Sequence, residues 1–117
     1  MKTISIILLL LLAIIHFYIV YLEMFLWATK KGIKIFGLKS KEFAEETKVL
    51  AANQGFYNGI LAVGLLFCVY LNNIEFSLFF CIAILFAGIF GFFSTKNKSI
   101  LFVQSIPSLI TILSIIL

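Results

Sequence analysis

Apolar residues fall into four long runs broken by short polar stretches, and the run lengths predict helices over residues 3–28, 40–71, 76–93 and 99–117. At about 1.5 Å per residue, each is close to or longer than a hydrocarbon core of about 30 Å. A signal peptide is the rival reading of the first run, with Lys2 as its charged start. The run is too long for that, no small-x-small cleavage site follows, and Glu23 and Trp27 mark a genuine helix end. Between the first two runs, residues 29–48 hold six lysines and three glutamates. There Gly32 and Gly37 are expected to interrupt the piece K-K-G-I-K-I-F-G-L, whose Ile33, Ile35, Phe36 and Leu38 would rest in the headgroup layer. Ser40 reads as an N-cap. The expected fold is all-α: one membrane domain over 1–117, an integral membrane bundle of four transmembrane helices, with a short amphipathic cytoplasmic segment between helices 1 and 2.

The second run is the unusual one, because E-E-T-K-V-L-A-A-N-Q-G-F-Y-N-G (45–59) brings amides and glycines into an apolar chain. On a helical wheel with Asn53 at zero, Leu50, Gln54, Tyr57, Asn58 and Leu61 lie between about 40° and 140°. Ala51, Ala52, Gly55, Gly59 and Ala62 lie between about 160° and 260°. One side can hydrogen-bond while the other admits a second backbone closely, so this helix is expected to be packed on both faces at the centre of the bundle. In the third run Ala83, Ala87, Gly91 and Ser94 form a small-residue ridge sufficient for helix packing. The fourth carries Gln104, Ser108 and Thr111 on one face, and Pro107 leaves the carbonyl of Val103 without its helical donor.

Composition changes this picture little. With 63% hydrophobic and 12% charged residues among 117, and a mean hydropathy of +1.20, an ordinary soluble domain is excluded. The net charge of +4 comes without an aromatic-interleaved basic surface, so no nucleic acid partner is expected. Topology explains the charge better: eight of the nine lysines lie in the first and third loops, which places both termini outside and the bilayer itself as the main partner. Cys68 and Cys81 read as buried free thiols, a helix-bridging disulfide being the sharper alternative. No metal-ligand set and no cofactor motif is present.

Candidate chemistry rests on polar residues at membrane depth: His16, Glu23, Asn53, Gln54, Tyr57, Asn58 and Gln104, with Trp27, Glu46 and Lys48 as a rim. Counting about 1.5 Å per residue from the flanking lysines puts Glu23, Asn53, Gln54 and Gln104 in one layer about 8–10 Å in. Tyr57, Asn58 and Ser108 fall about 14–15 Å in, with His16 and Thr111 about 20 Å in. Such a coincidence of depths on three helices implies a polar cavity opening toward the cytoplasm. Each residue also has a plain reading. The amides can be interhelical bonds of around 0.6 kcal/mol, and Tyr18, Tyr21, Tyr57 and Trp27 can be packing or interface aromatics. His16 can be structural or proton-handling. Glu23 can pair with Lys30 at the interface, or be a buried carboxyl that holds a proton, cation or ligand.

The run around Asn53, together with H-F-Y-I-V-Y-L-E-M-F-L-W in the first helix and V-Q-S-I-P-S-L in the last, resembles domain-of-unknown-function family 1304 along essentially the whole chain. That resemblance implies a small four-helix protein of a bacterial plasma membrane and names no activity. Three functions compete. A small-molecule binding or transport protein, expected as a homo-oligomer, would use Glu23 and His16 for charge and the amides and Tyr57 to orient a small or amphipathic ligand. Small multidrug-resistance exporters also place a glutamate in the first of four short helices, an analogy only. A membrane-embedded enzyme acting on a lipid, quinone or sterol-like substrate would use His16 and Glu23 as acid and base, although about 10 Å of helix separates them. An accessory subunit would need no chemistry.

Overall fold

Polar side chains set where the helices start, as a computed structural model covering residues 1–117 shows. The chain is all-helical: α1 (Thr3–Phe25), α2 (Lys30–Phe36), α3 (Lys41–Leu71), α4 (Ile74–Thr95) and α5 (Lys98–Ile116). Thr29 Oγ1 accepts from the Gly32 amide at 3.3 Å, Ser40 Oγ from Phe43 at 3.0 Å, Asn73 Oδ1 from Phe76 at 2.8 Å and Asn97 Oδ1 from Ser99 at 3.0 Å. Each satisfies an amide that a helix start leaves unpaired. α1 stops at Phe25, short of the end of its apolar run, because Leu26 leaves helical geometry and the chain turns into α2. α1, α3, α4 and α5 are long and apolar enough to cross a membrane, the pattern of a multi-pass membrane protein.

Gly32 does not interrupt α2, contrary to expectation. It sits buried inside that helix, where a Cβ would run into the backbone carbonyls of Leu26 and Trp27 at the end of α1. Only glycine permits so close an approach. Gly37 does end α2, in the left-handed conformation at φ +62°.

The buried positions form one line per helix. On α1 they are Ser5, Leu9, Leu12, Ala13, His16, Ile19, Leu22 and Glu23; on α3, Ala44, Ala51, Gly55, Asn58, Ala62, Leu65 and Cys68. α4 contributes Ser77, Cys81, Ile84 and Gly88, and α5 contributes Ser105, Ser108 and Thr111. Small and hydroxyl-bearing residues therefore face inward, while Phe56, Phe67, Phe79, Phe86 and Phe90 face outward. That distribution suits a bilayer, where close backbone approach rather than hydrophobic burial draws helices together. Both cysteines are buried and free.

α3 is not the central helix. It packs along α1 through its small-residue line, whereas its opposite face, with Phe56, Ile60 and Val63, is exposed. α1 lies between α3 and α5, and α4 pairs with α5. α3 and α4 meet toward their shared turn, where Gly64 lies against Phe80. At that end the Met1 amino group donates to Asn72 Oδ1 at 2.7 Å and Ser5 donates to the Ser114 carbonyl at 2.9 Å, so both termini gather beside the α3–α4 turn. The dry core of Leu9, Leu12, Ala13, Leu65, Cys81 and Ile84 fills this half. The other end carries every lysine but Lys2 and holds the clefts described below.

α5 begins irregularly. Residues Leu101–Ser105 form a π-helical turn, with the Ile106 amide bonded five residues back to Leu101, immediately before Pro107. Widening the helix there accommodates a residue with no amide to donate. Ser105 Oγ donates across to the Leu85 carbonyl of α4 at 3.0 Å, and Gly88 opposite leaves room for that contact.

Candidate functional site

Two small residues of α3 decide what meets Glu23. Gly55 lies against Met24 and the Cβ of Glu23, and Gly59 lies against Val20, so α3 settles deeply onto α1. This register brings Asn58 beside Glu23: its Nδ2 donates to Glu23 Oε1 at 2.6 Å and to the Gln54 carbonyl at 3.2 Å. Glu23 is 7% and Asn58 6% exposed, so the bond is buried between the two helices. Glu23 Oε2 accepts nothing from the protein, yet it is not sealed off.

Clefts open on both sides of this contact, and Glu23 and Trp27 line both. The larger, about 390 Å³, lies between α1, α2, α3 and the α4–α5 turn. Aromatic and aliphatic walls come from Trp27, Phe36, Leu38, Phe43, Leu50 and Ile100, and polar groups from Thr47, Gln54, Thr95 and Asn97. Trp27 is held in place, since its Nε1 donates to Thr47 Oγ1 at 3.0 Å and its ring lies 4.7 Å from that of Phe36. The smaller cleft, about 300 Å³, is lined by Met24, Phe25, Lys48, Val49 and Asn53 among others. Lys48 is paired with Glu45 at 2.9 Å on the exposed face of α3.

The polar residues singled out from the sequence are thus divided. Glu23, Trp27 and Gln54 share the larger cleft, with Asn58 bonded behind Glu23. Asn53 and Lys48 stand in the smaller one. Tyr57 is exposed on the outer face of α3, Glu46 is exposed, and half-buried Gln104 packs its Cβ against Gly88; none of the three lines either cleft. Counting from lysines put Glu23 and Asn58 in different layers, whereas the structure bonds them, because small-residue packing, not a common starting plane, sets the register. On the wheel Asn58, at about 140°, falls within the buried line centred near 160°, while Tyr57 is about 120° away from it.

His16 occupies a separate place. It is fully buried on α1 and lines neither cleft. Its Nδ1 donates to the Leu12 carbonyl at 2.9 Å, which assigns the ring proton to Nδ1 and leaves Nε2 without a partner. Ser108 Oγ on α5 is also buried and unpartnered. The Ser5–Ser114 bond gives the register between these helices. Counted from that bond, Ser108 lies about 9 Å along α5 and the His16 backbone about 16 Å along α1.

Sequence reasoning missed Thr47, Phe36, Leu38 and Phe43 as cleft walls. Thr47 lies four residues after Phe43, on one face of α3, a spacing that could have flagged it. Phe36 and Leu38 reach the cleft only because α2 folds back over Gly32, which no periodicity reveals.

The comparisons with known proteins agree with this architecture without naming a reaction. No solved structure matches the chain significantly. It is similar to "Uncharacterized protein YpaA" of Lactococcus lactis subsp. lactis (strain IL1403), 30% identical over 117 residues that cover 97% of this chain and 98% of that one. A family described as "Protein of unknown function (DUF1304)" matches residues 10–116, nearly the whole four-helix bundle with its Glu23 cleft, and the chain belongs to that family.

Proposed function

We propose that the protein binds a small amphipathic molecule in the larger cleft, and that this cleft opens toward the cytoplasm. One observation carries the reading: a buried carboxyl, Glu23, is held at one oxygen by Asn58, has no protein partner on the other, and lines a cleft that is otherwise mostly apolar. A buried carboxyl serving only as a helix–helix bond would have its oxygens enclosed. A volume of about 390 Å³ falls within the range of small-molecule sites, roughly 300–1,000 Å³. The orientation follows from the lysines around the cleft end, which favour the cytoplasmic side. If the bound molecule is also transported, the working unit is a homo-oligomer, since one chain of four spans provides only a narrow cleft.

The reading as a lipid-, quinone- or sterol-directed enzyme needs His16 and Glu23 on one substrate, and His16 lines neither cleft. The subunit reading has no specific observation in its favour. Native mass spectrometry of protein extracted gently from its own membrane tests the proposal, comparing wild type with Glu23→Gln/Gln54→Ala. A discrete bound molecule on wild type, absent from the double variant at unchanged oligomeric state, is the expected result. An empty wild type whose assembly falls apart in the variant would show the polar pair to be structural only.

A further inference from the structure

The walls of the larger cleft bear on what kind of molecule enters it. Glu23 is the sole charged residue among its twelve lining residues. No lysine pairs with it, the one ion pair in the chain being Lys48 with Glu45. Facing the cleft from α2 is Phe36, from α3 are Phe43, Thr47 and Gln54, and from the α4–α5 turn are Thr95 and Asn97, none of them charged. Lys48 reaches only the smaller cleft, and Lys39 stands at the rim with its Nζ 4.7 Å over the Phe43 ring. That last contact shows a wall aromatic already accepting a cation on its face.

A carboxylate without a counter-ion in apolar surroundings is costly, so the Glu23 carboxyl must carry a proton or face a cation. Aromatic rings such as Trp27, Phe36 and Phe43 attract cations and bury apolar substituents at the same time. A hydrated metal ion would use the carboxylate and leave those walls idle; a neutral amphiphile would use the walls and leave the carboxyl unmatched. Building on the binding function proposed above, we infer that the ligand is a lipophilic organic cation, a quaternary ammonium or phosphonium or a protonated amine on an apolar body, which displaces a proton from Glu23. The exchange balances: the carboxyl O–H breaks, its proton leaves to water, and the organic cation takes its place beside the carboxylate. No covalent bond to the ligand forms.

Trp27 is the only tryptophan in the chain and lies in the cleft wall, so its fluorescence reports occupancy directly. Purified protein in nanodiscs is titrated with tetraphenylphosphonium, with neutral triphenylphosphine oxide and with anionic tetraphenylborate, while proton release is followed in weak buffer. Saturable quenching by the phosphonium is expected, with about one proton released per cation bound. Glu23→Gln should weaken it by about tenfold or more and abolish the release. Gln54→Lys, at an exposed position of the cleft wall that the fold does not depend on, should weaken it comparably by offering an internal ammonium. If triphenylphosphine oxide binds as tightly as the cation in wild type and in Glu23→Gln alike, the cation assignment falls while the binding cleft stands. Absence of saturable quenching by all three probes would overturn both.

Discussion

Glu23 and His16 lie seven residues apart on the same buried line of α1, yet their surroundings are opposites. Glu23 sits where α1 meets α3, bonded to Asn58 and bordered by two clefts. His16 sits in the closed half, bonded to its own helix and with Nε2 unpartnered. In the seam around His16 most hydroxyls turn back on local carbonyls: Thr111 on Pro107 at 2.8 Å, Ser114 on Thr111 at 2.7 Å. Polarity at membrane depth therefore does not by itself mark a site. Access does: the same helix carries one polar group that the fold encloses and one that it leaves facing open space.

Substitutions can test that contrast, and the largest effect should come from filling the enclosed α4–α5 seam. A Cβ at Gly88 would run into Ser105 Oγ and lie 3.1 Å from the Ser105 amide nitrogen, so Gly88→Leu must push α5 away from α4. A loss of about 3 kcal/mol is expected, read as a fall in thermal unfolding temperature in detergent. Gln54→Leu, on the cleft wall, should leave that temperature unchanged.

Breaking the Glu23 pair should cost less. Asn58→Leu removes the only side-chain donor to Glu23 and should destabilise by about 1–2 kcal/mol. Adding Glu23→Leu should recover most of that loss, because no buried acceptor then remains without a donor. A double-mutant cycle with no coupling between the two positions would contradict the pairing.

A smaller change is expected at His16. Replacing it with Leu deletes an unpartnered buried nitrogen along with one bond to the Leu12 carbonyl, and stability should stay within about 1 kcal/mol of wild type. Quenching of Trp27 by tetraphenylphosphonium should be unaffected. A tenfold loss of binding in His16→Leu would join the two regions into one site and end the distinction drawn between them. Least of all is expected from Lys48→Met: the Lys48–Glu45 pair is solvent-exposed, and no change in thermal stability should be measurable.

Much of the architecture was legible in the residues. Four apolar runs, the Ser40 cap and the gathering of lysines at one end are local properties, and each survived folding. The small-residue side of the second span was legible too, since Ala51, Gly55 and Ala62 do face α1. Less legible was which helix takes the centre, because an amide-rich face looks like a packing face until Asn53, Gln54 and Tyr57 are seen to be exposed.

By itself the sequence determined that this chain forms a bundle of membrane-length helices, and that a glutamate and several amides lie within them. Run length and hydropathy suffice for that, because a bilayer requires each span to satisfy its own backbone. Tertiary structure alone decided that Glu23 meets Asn58 rather than Asn53 or Gln54, that α2 folds back to wall a cleft, and that His16 is shut away from it. Those outcomes depend on how far two helices slide before Gly55 seats on Met24 and Gly32 on the end of α1. A shift of one helical turn, about 5.4 Å, would bring different side chains together. Contacts between distant segments fix that shift, and they have no local signature in the chain.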